Sequence, residues 1–183
     1  MTRPLPEWTE GGGQESPGRD HRLTLDRVWD NFLPHVLWVM LNPSKADARK
    51  DDPTIRKCIG FSDRWGYGSL SVVNLFTFRA TDPRDLLATC RRYGADALNY
   101  PVTSDLAFMA EVRDAHTVVV AWGAWAERPF VRERAEAVAK AIARAHDTVY
   151  CIGRTKNGHP IHPLMARYTD APEVYRDRTK EIP

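Results

Sequence analysis

The sequence predicts an α/β fold: a three-layer α/β/α sandwich around a short, mostly parallel four-stranded sheet, with an added N-terminal edge strand. Three observations predict it. Four apolar runs, 35–41 (HVLWVML), 69–76 (SLSVVNLF), 116–123 (HTVVVAWG) and 147–153 (DTVYCIG), are apolar at both alternating positions. Strands covered on both faces read this way. Segments with helical periodicity and caps lie between the runs. Strand-helix-strand alternation requires crossovers, and crossovers make neighbouring strands parallel.

The elements follow in order. Residues 1 to about 20 contain EGGGQESPGRD, a composition expected of a flexible tail. The rest, 21–183, is short enough for a single α/β domain and long enough to bury a core. Residues 22–29 (RLTLDRVW) alternate polar with apolar, which predicts an exposed strand turning at Asp30-Asn31. Asp52 can cap a helix with Pro53 at its first position, running to about Trp65 and stopped by Gly66. Thr81 or Asp82 can cap the next, again with a proline following, and that helix ends before Gly94. Residues 103–115 carry a cap and an apolar stripe. In 130–146, Val131, Ala135, Val138 and Ile142 share one helical face.

Composition narrows the function. A net charge of +2 argues against a protein that coats polyanions, and leaves room for a local basic patch. Cys58, Cys90 and Cys151 form no C-x-x-C, so neither a disulfide framework nor a zinc ribbon is indicated. They are expected to be reduced and buried in a cytoplasmic protein. No signal peptide or membrane-spanning run is read in the chain.

In a sheet of this kind the ligand crevice lies beyond the carboxyl ends of the strands. The first run delivers Asn42-Pro43-Ser44 there, with Lys45 next. The second delivers Asn74, Phe76 and Arg79. The third delivers Trp122-Gly123. The fourth leads to Arg154, Lys156, His159 and His162. Each has an ordinary structural explanation. An Asn before Pro bonds turn backbone. A buried Asn74 amide needs a partner, which a loop or a ligand edge can supply. Trp122 suits a core, and Asp47, Asp51 and Asp52 suit a helix start. Their common position at strand ends makes them a candidate site.

Two resemblances attach to these residues. The stretch 40–86, opening MLNPSKAD, together with AWG at 121–123 and TKNGHPIHPL at 155–164, is similar to a bacterial and phage family catalogued only as a domain of unknown function. The similarity covers about residues 22–168 and implies no activity. The order of motifs also resembles the uracil-DNA glycosylase superfamily, in its mismatch-specific and thymine-DNA branches. Those enzymes carry a G-I-N-P-G type motif, a strand-end Asn, an L-W-G-like stretch and an H-P-S-P-like motif. Here Met40-Leu41-Asn42-Pro43-Ser44, Asn74, AWG and His162-Pro163-Leu164 stand in those places, with His159-Pro160 as the rival histidine. Met40 or Leu41 replaces the opening glycine, and Ser44 the glycine after Pro43.

That resemblance implies base recognition and N-glycosidic bond hydrolysis. Asn42 would position water and His162 would stabilise the departing base, with His159 in reserve. Asn74 would read the base edge. Phe76, Tyr67 or Trp122 would stack on it. Ser44, Lys45, Arg79, Arg154 and Lys156 would hold phosphates. No cofactor or metal is called for. The expected partner is DNA or a nucleotide, met by a monomer away from membranes. The rival readings are a non-catalytic nucleotide or modified-base binder, a metal-dependent hydrolase using Asp47, Asp51, Asp52, His159 and His162, and an interaction protein with a degenerate pocket.

Overall fold

The computed structural model describes residues 3–100 and 103–180. Its strands are β1 (Glu10–Gly12), β2 (Leu25–Val28), β3 (His35–Met40), β4 (Ser69–Asn74), β5 (Thr117–Val120), β6 (Thr148–Cys151) and β7 (Glu173–Asp177). Its α-helices are α1 (Pro53–Arg64), α2 (Pro83–Tyr93), α3 (Thr103–Asp114) and α4 (Pro129–Ala145). One sheet holds all these strands, in the order β1-β2-β4-β3-β5-β6-β7.

The α/β class holds, and the sheet is larger and more mixed than expected. The apolar runs became β4-β3-β5-β6, paired in parallel, with β3 and β4 in register from His35↔Ser69 to Met40↔Asn74. Antiparallel strands extend both sides: β2 and then β1 beyond β4, and β7 beyond β6. Among the described residues the sheet is therefore seven strands wide, not four plus one edge.

The extra strands are held by contacts distant in sequence. The stretch expected as a tail supplies β1, which pairs Glu10 with Val28 and Gly12 with Asp26. Trp8 anchors it. Its indole N–H donates to Asp51 at 2.9 Å and its ring lies 4.5 Å from the Arg27 guanidinium. β2 is consequently an interior strand rather than an exposed one, with Leu25 and Arg27 both fully buried. Arg27 is tolerated there because its Nε meets Asp51 at 2.8 Å and its Nη2 donates to the Asp47 carbonyl at 2.6 Å. β7 is pinned by Arg154, whose Nη2 donates to the carbonyls of Val174 and Tyr175.

The period-two alternation of the strands divides the core. Leu37, Val39, Val73, Val118 and Val120 face α3 and α4. Val36, Trp38, Met40, Leu70 and Val72 face α1, which buries Ile55, Ile59 and Phe61 against them. Full burial of one such side chain is worth about 1.5–3 kcal/mol. Trp38 adds direction, because its buried indole N–H donates to Ser62 of α1 at 3.0 Å. Both expected proline-led starts are present. Asp52 accepts from the Ile55 N–H at 2.9 Å, and Asp82 from the Arg84 N–H at 2.9 Å.

Candidate functional site

A cleft of about 690 Å³ opens where β3 and β5 end. Its walls are the chain following β3, the first turns of α1 and α2, the Trp122–Trp125 segment, and the loop at His162–Met165. Most of the lining is apolar: Met40, Leu41, Ile55, Pro83, Trp122 and Trp125, with exposed Leu164 and Met165 on the rim. A few polar groups converge within it, the usual make-up of a small-molecule site.

Asn42 stands directly after β3. Its Nδ2 donates to the carbonyls of Pro43, at 2.9 Å, and Ala80, at 2.7 Å. Only an NH2 satisfies two carbonyl acceptors, so the amide orientation is fixed and Oδ1 is the atom left for a ligand or water. The Ala80 bond ties this corner to the chain entering α2. The strand stops on Asn-Pro because the side chain crosslinks two loops at the cleft.

His162 reaches the same cleft from the loop that follows β6. Its Nδ1 accepts from the Leu164 N–H at 3.3 Å. Nδ1 therefore carries no proton, and Nε2–H is the donor of the neutral ring. Burial lowers the imidazole's basicity, with Asp52 partly opposing, so the neutral form is favoured. Gly123 turns the chain beside this loop in a backbone conformation that favours glycine. It has φ of 78°, and an added Cβ would sit 3.4 Å from the His162 Cβ.

Of the other expected residues, Ser44, Lys45 and Trp122 line the cleft. Trp122 is a wall rather than an open platform. It is 1% exposed, its ring meets Tyr175 edge-on, and its indole N–H has no partner.

The remainder lie elsewhere. Asn74 is buried beside Met40 in the neighbouring strand, and neither its amide nitrogen nor its oxygen is hydrogen-bonded. Phe76 is core, packed on Phe130 with ring centroids 5.8 Å apart. Tyr67 donates to Thr117 at the opposite end of β5. Arg79 is ion-paired with Glu15. Arg154 serves β7, as described. Lys156 is exposed in the turn closed by the Thr155 and His159 backbones, where the His159 N–H also donates to Thr155 Oγ1. His159 does not line the cleft, so the rivalry between the histidines falls to His162.

The metal-centre reading also loses its geometry. Asp51 is tied to Arg27 and Trp8, and Asp47 accepts from the N–H groups of Arg49 and Lys50. Among the described residues no three His, Cys, Asp or Glu side chains cluster as ligands.

The cleft also holds polar residues outside the expected catalytic, base-binding and phosphate-binding set: Arg22, Asp52, Thr54 and Thr81. Asp52, expected as a helix cap or as a metal ligand, lines the cleft while its Oδ1 and Oδ2 accept from Ile55 and Ala46. Thr54 follows it in the first turn of α1. Arg22 is 2% exposed, with Nη1 donating to the Ala46 carbonyl at 2.7 Å and Nε without a partner. Burial, and then neighbouring Arg79, push its pKa down to about 10. The Asp-Pro-Thr helix start could have flagged Asp52 and Thr54. Nothing local in RLTL flags Arg22.

With this geometry in view, comparison with known proteins identifies one family. The model described as "Protein of unknown function (DUF1643)" matches residues 22–164. The chain belongs to that family. The matched DUF1643 region takes in β2 through the turn after His162, and so every lining residue of the cleft except Met165. No curated protein and no solved structure matches the chain.

Proposed function

We propose that the cleft binds a nucleotide, or a single nucleotide unit of DNA, and hydrolyses its N-glycosidic bond. The observation that carries this reading is the pairing of Asn42 and His162 in one cleft, each with one side committed to backbone. What remains is an acceptor on Asn42 and a donor on His162. Cleavage of an N-glycosidic bond runs through an oxocarbenium-like state and uses both: a placed water, and a donor to the departing base.

The step balances with residues of the cleft. Water bonds to the anomeric carbon as the carbon–nitrogen bond breaks, and the electron pair leaves with the base. Asn42 Oδ1 orients the water. An amide does not take up a proton near neutrality, so the water's proton passes to the Asp52 carboxylate. His162 Nε2–H bonds the departing base. The apolar walls suit the faces of a planar ring, and a base within DNA would have to leave the stack to enter.

The test is base release from uracil, hydroxymethyluracil and mismatched-thymine oligonucleotides and from free nucleoside 5′-monophosphates. His162→Ala and Asn42→Ala should each lower the rate about 100-fold. An excision rate untouched by either change would remove both role assignments. A second reading, binding without cleavage, is favoured by one observation: Asn74, expected to read the base, does not line the cleft. That reading predicts thermal stabilisation by nucleotides with no base released.

A further inference from the structure

The mechanism above leaves Arg22 without a task, although Arg22 is the most costly group in the cleft. A buried cation needs a counter-charge. The Asp52 and Glu15 charges offset that burial only in part, because Glu15 also pairs with Arg79, and among the described residues Arg22 forms no ion pair of its own. Arg79 lies against it, its Nη2 donating at 3.1 Å to the same Ala46 carbonyl that Arg22 holds, and the neighbouring cation disfavours the Arg22 charge. Arg22 Nε remains unbonded. At the start of α1, which borders the same cleft, Pro53 has no N–H and that of Ile55 is held by Asp52, so Thr54 is the residue left to donate. Ser44 and Lys45 add a hydroxyl and an ammonium to the lining.

We propose that Arg22, Ser44, Lys45 and Thr54 form a subsite for the terminal phosphate of a free nucleoside 5′-monophosphate. The proposal rests on the nucleotide reading and names its substrate class. Arg22 is 2% exposed, so a phosphate must enter the cleft to meet it. The end of a small molecule can do so. A phosphodiester with chain continuing on both sides is held at the surface. Arg22 also borders a second, smaller cleft, where two carboxylates, Glu15 and Asp47, stand in the lining against the single Asp52 of this one.

Calorimetric titration decides the matter, carried out in the His162→Ala protein so that base release does not interfere. The probes are ribonucleoside 5′-monophosphates, the matching nucleosides and a single-stranded oligonucleotide. Monophosphates should bind about 10- to 100-fold more tightly than their nucleosides, and Arg22→Gln should bring that ratio close to one. Equal binding of nucleotide and nucleoside overturns the proposal. So does a ratio that survives Arg22→Gln, and so does tight binding confined to the oligonucleotide. Should Arg22→Gln not fold, the melt of the unaltered protein decides: inorganic phosphate should raise its melting temperature above that in chloride of equal ionic strength, and no rise overturns the proposal. Base release is not read in any arm, so loss of the glycosidic reading and loss of the phosphate subsite are separate results.

Discussion

At Asn42 two carbonyl oxygens, from Pro43 and Ala80, point at one side-chain nitrogen. An aspartate there has the same shape and the wrong polarity. It would set a carboxylate oxygen against both carbonyls and leave them unsatisfied. Asn42→Asp should therefore cost about 2–3 kcal/mol in urea denaturation, despite adding a potential base to the cleft. At this scale the sequence was informative where a residue follows a strand directly. Asn42, Ser44, Lys45 and Trp122 were found because a strand's end gives their position. Tyr67 failed because it precedes β4 and so sits at the other end of the sheet. Phe76 lies beyond the end of β4 but turns into the α4 side of the core. Arg22 could not be found, because its burial depends on the loop carrying Ala46, which is distant in sequence.

Among the elements, α1 joins fold to chemistry through its cap. Asn caps a helix about as well as Asp, so Asp52→Asn keeps the acceptor for the Ile55 N–H, loses the one for the Ala46 N–H and removes the carboxylate. It should cost about 1 kcal/mol of thermal stability, for the lost Ala46 bond, and lower base release about 100-fold. A variant as active as the parent would limit Asp52 to capping. All four long helices were legible, because proline, cap and glycine signals are local. The strands β1 and β7 were not. β1 is three residues long and two of them are glycine. Backbone pairing and Trp8 hold it, and neither leaves an apolar pattern to read.

Over the whole molecule, burial sets the response to acid. It holds the imidazoles of His21, His35 and His162 below their ordinary value of 6.5, with acidic neighbours partly opposing. The unfolded chain takes up protons that the fold refuses. Stability is then complete above that pH and declines as the pH falls through the depressed values. Glu111 acts in the opposite sense. Burial raises its carboxyl above 4.5, so its contribution is present at lower pH and is lost as the pH rises through the raised value. With three imidazoles against one carboxyl, the urea midpoint should fall between about pH 7.5 and about pH 5.5, and His35→Gln should flatten the slope. A midpoint that rose on acidification would contradict this.

The outermost strands carry a last consequence. β1 and β7 both lie outside the residues shared with the family, 22–164. They shield the flanks of β2 and β6. A chain trimmed to 22–164 would present two unguarded rows of amide and carbonyl groups, each ready to accept a strand from another molecule. Such a fragment should elute as concentration-dependent aggregates where the chain of residues 1–183 does not. The terminal segments would then serve less as ballast for the cleft than as stoppers against polymerisation.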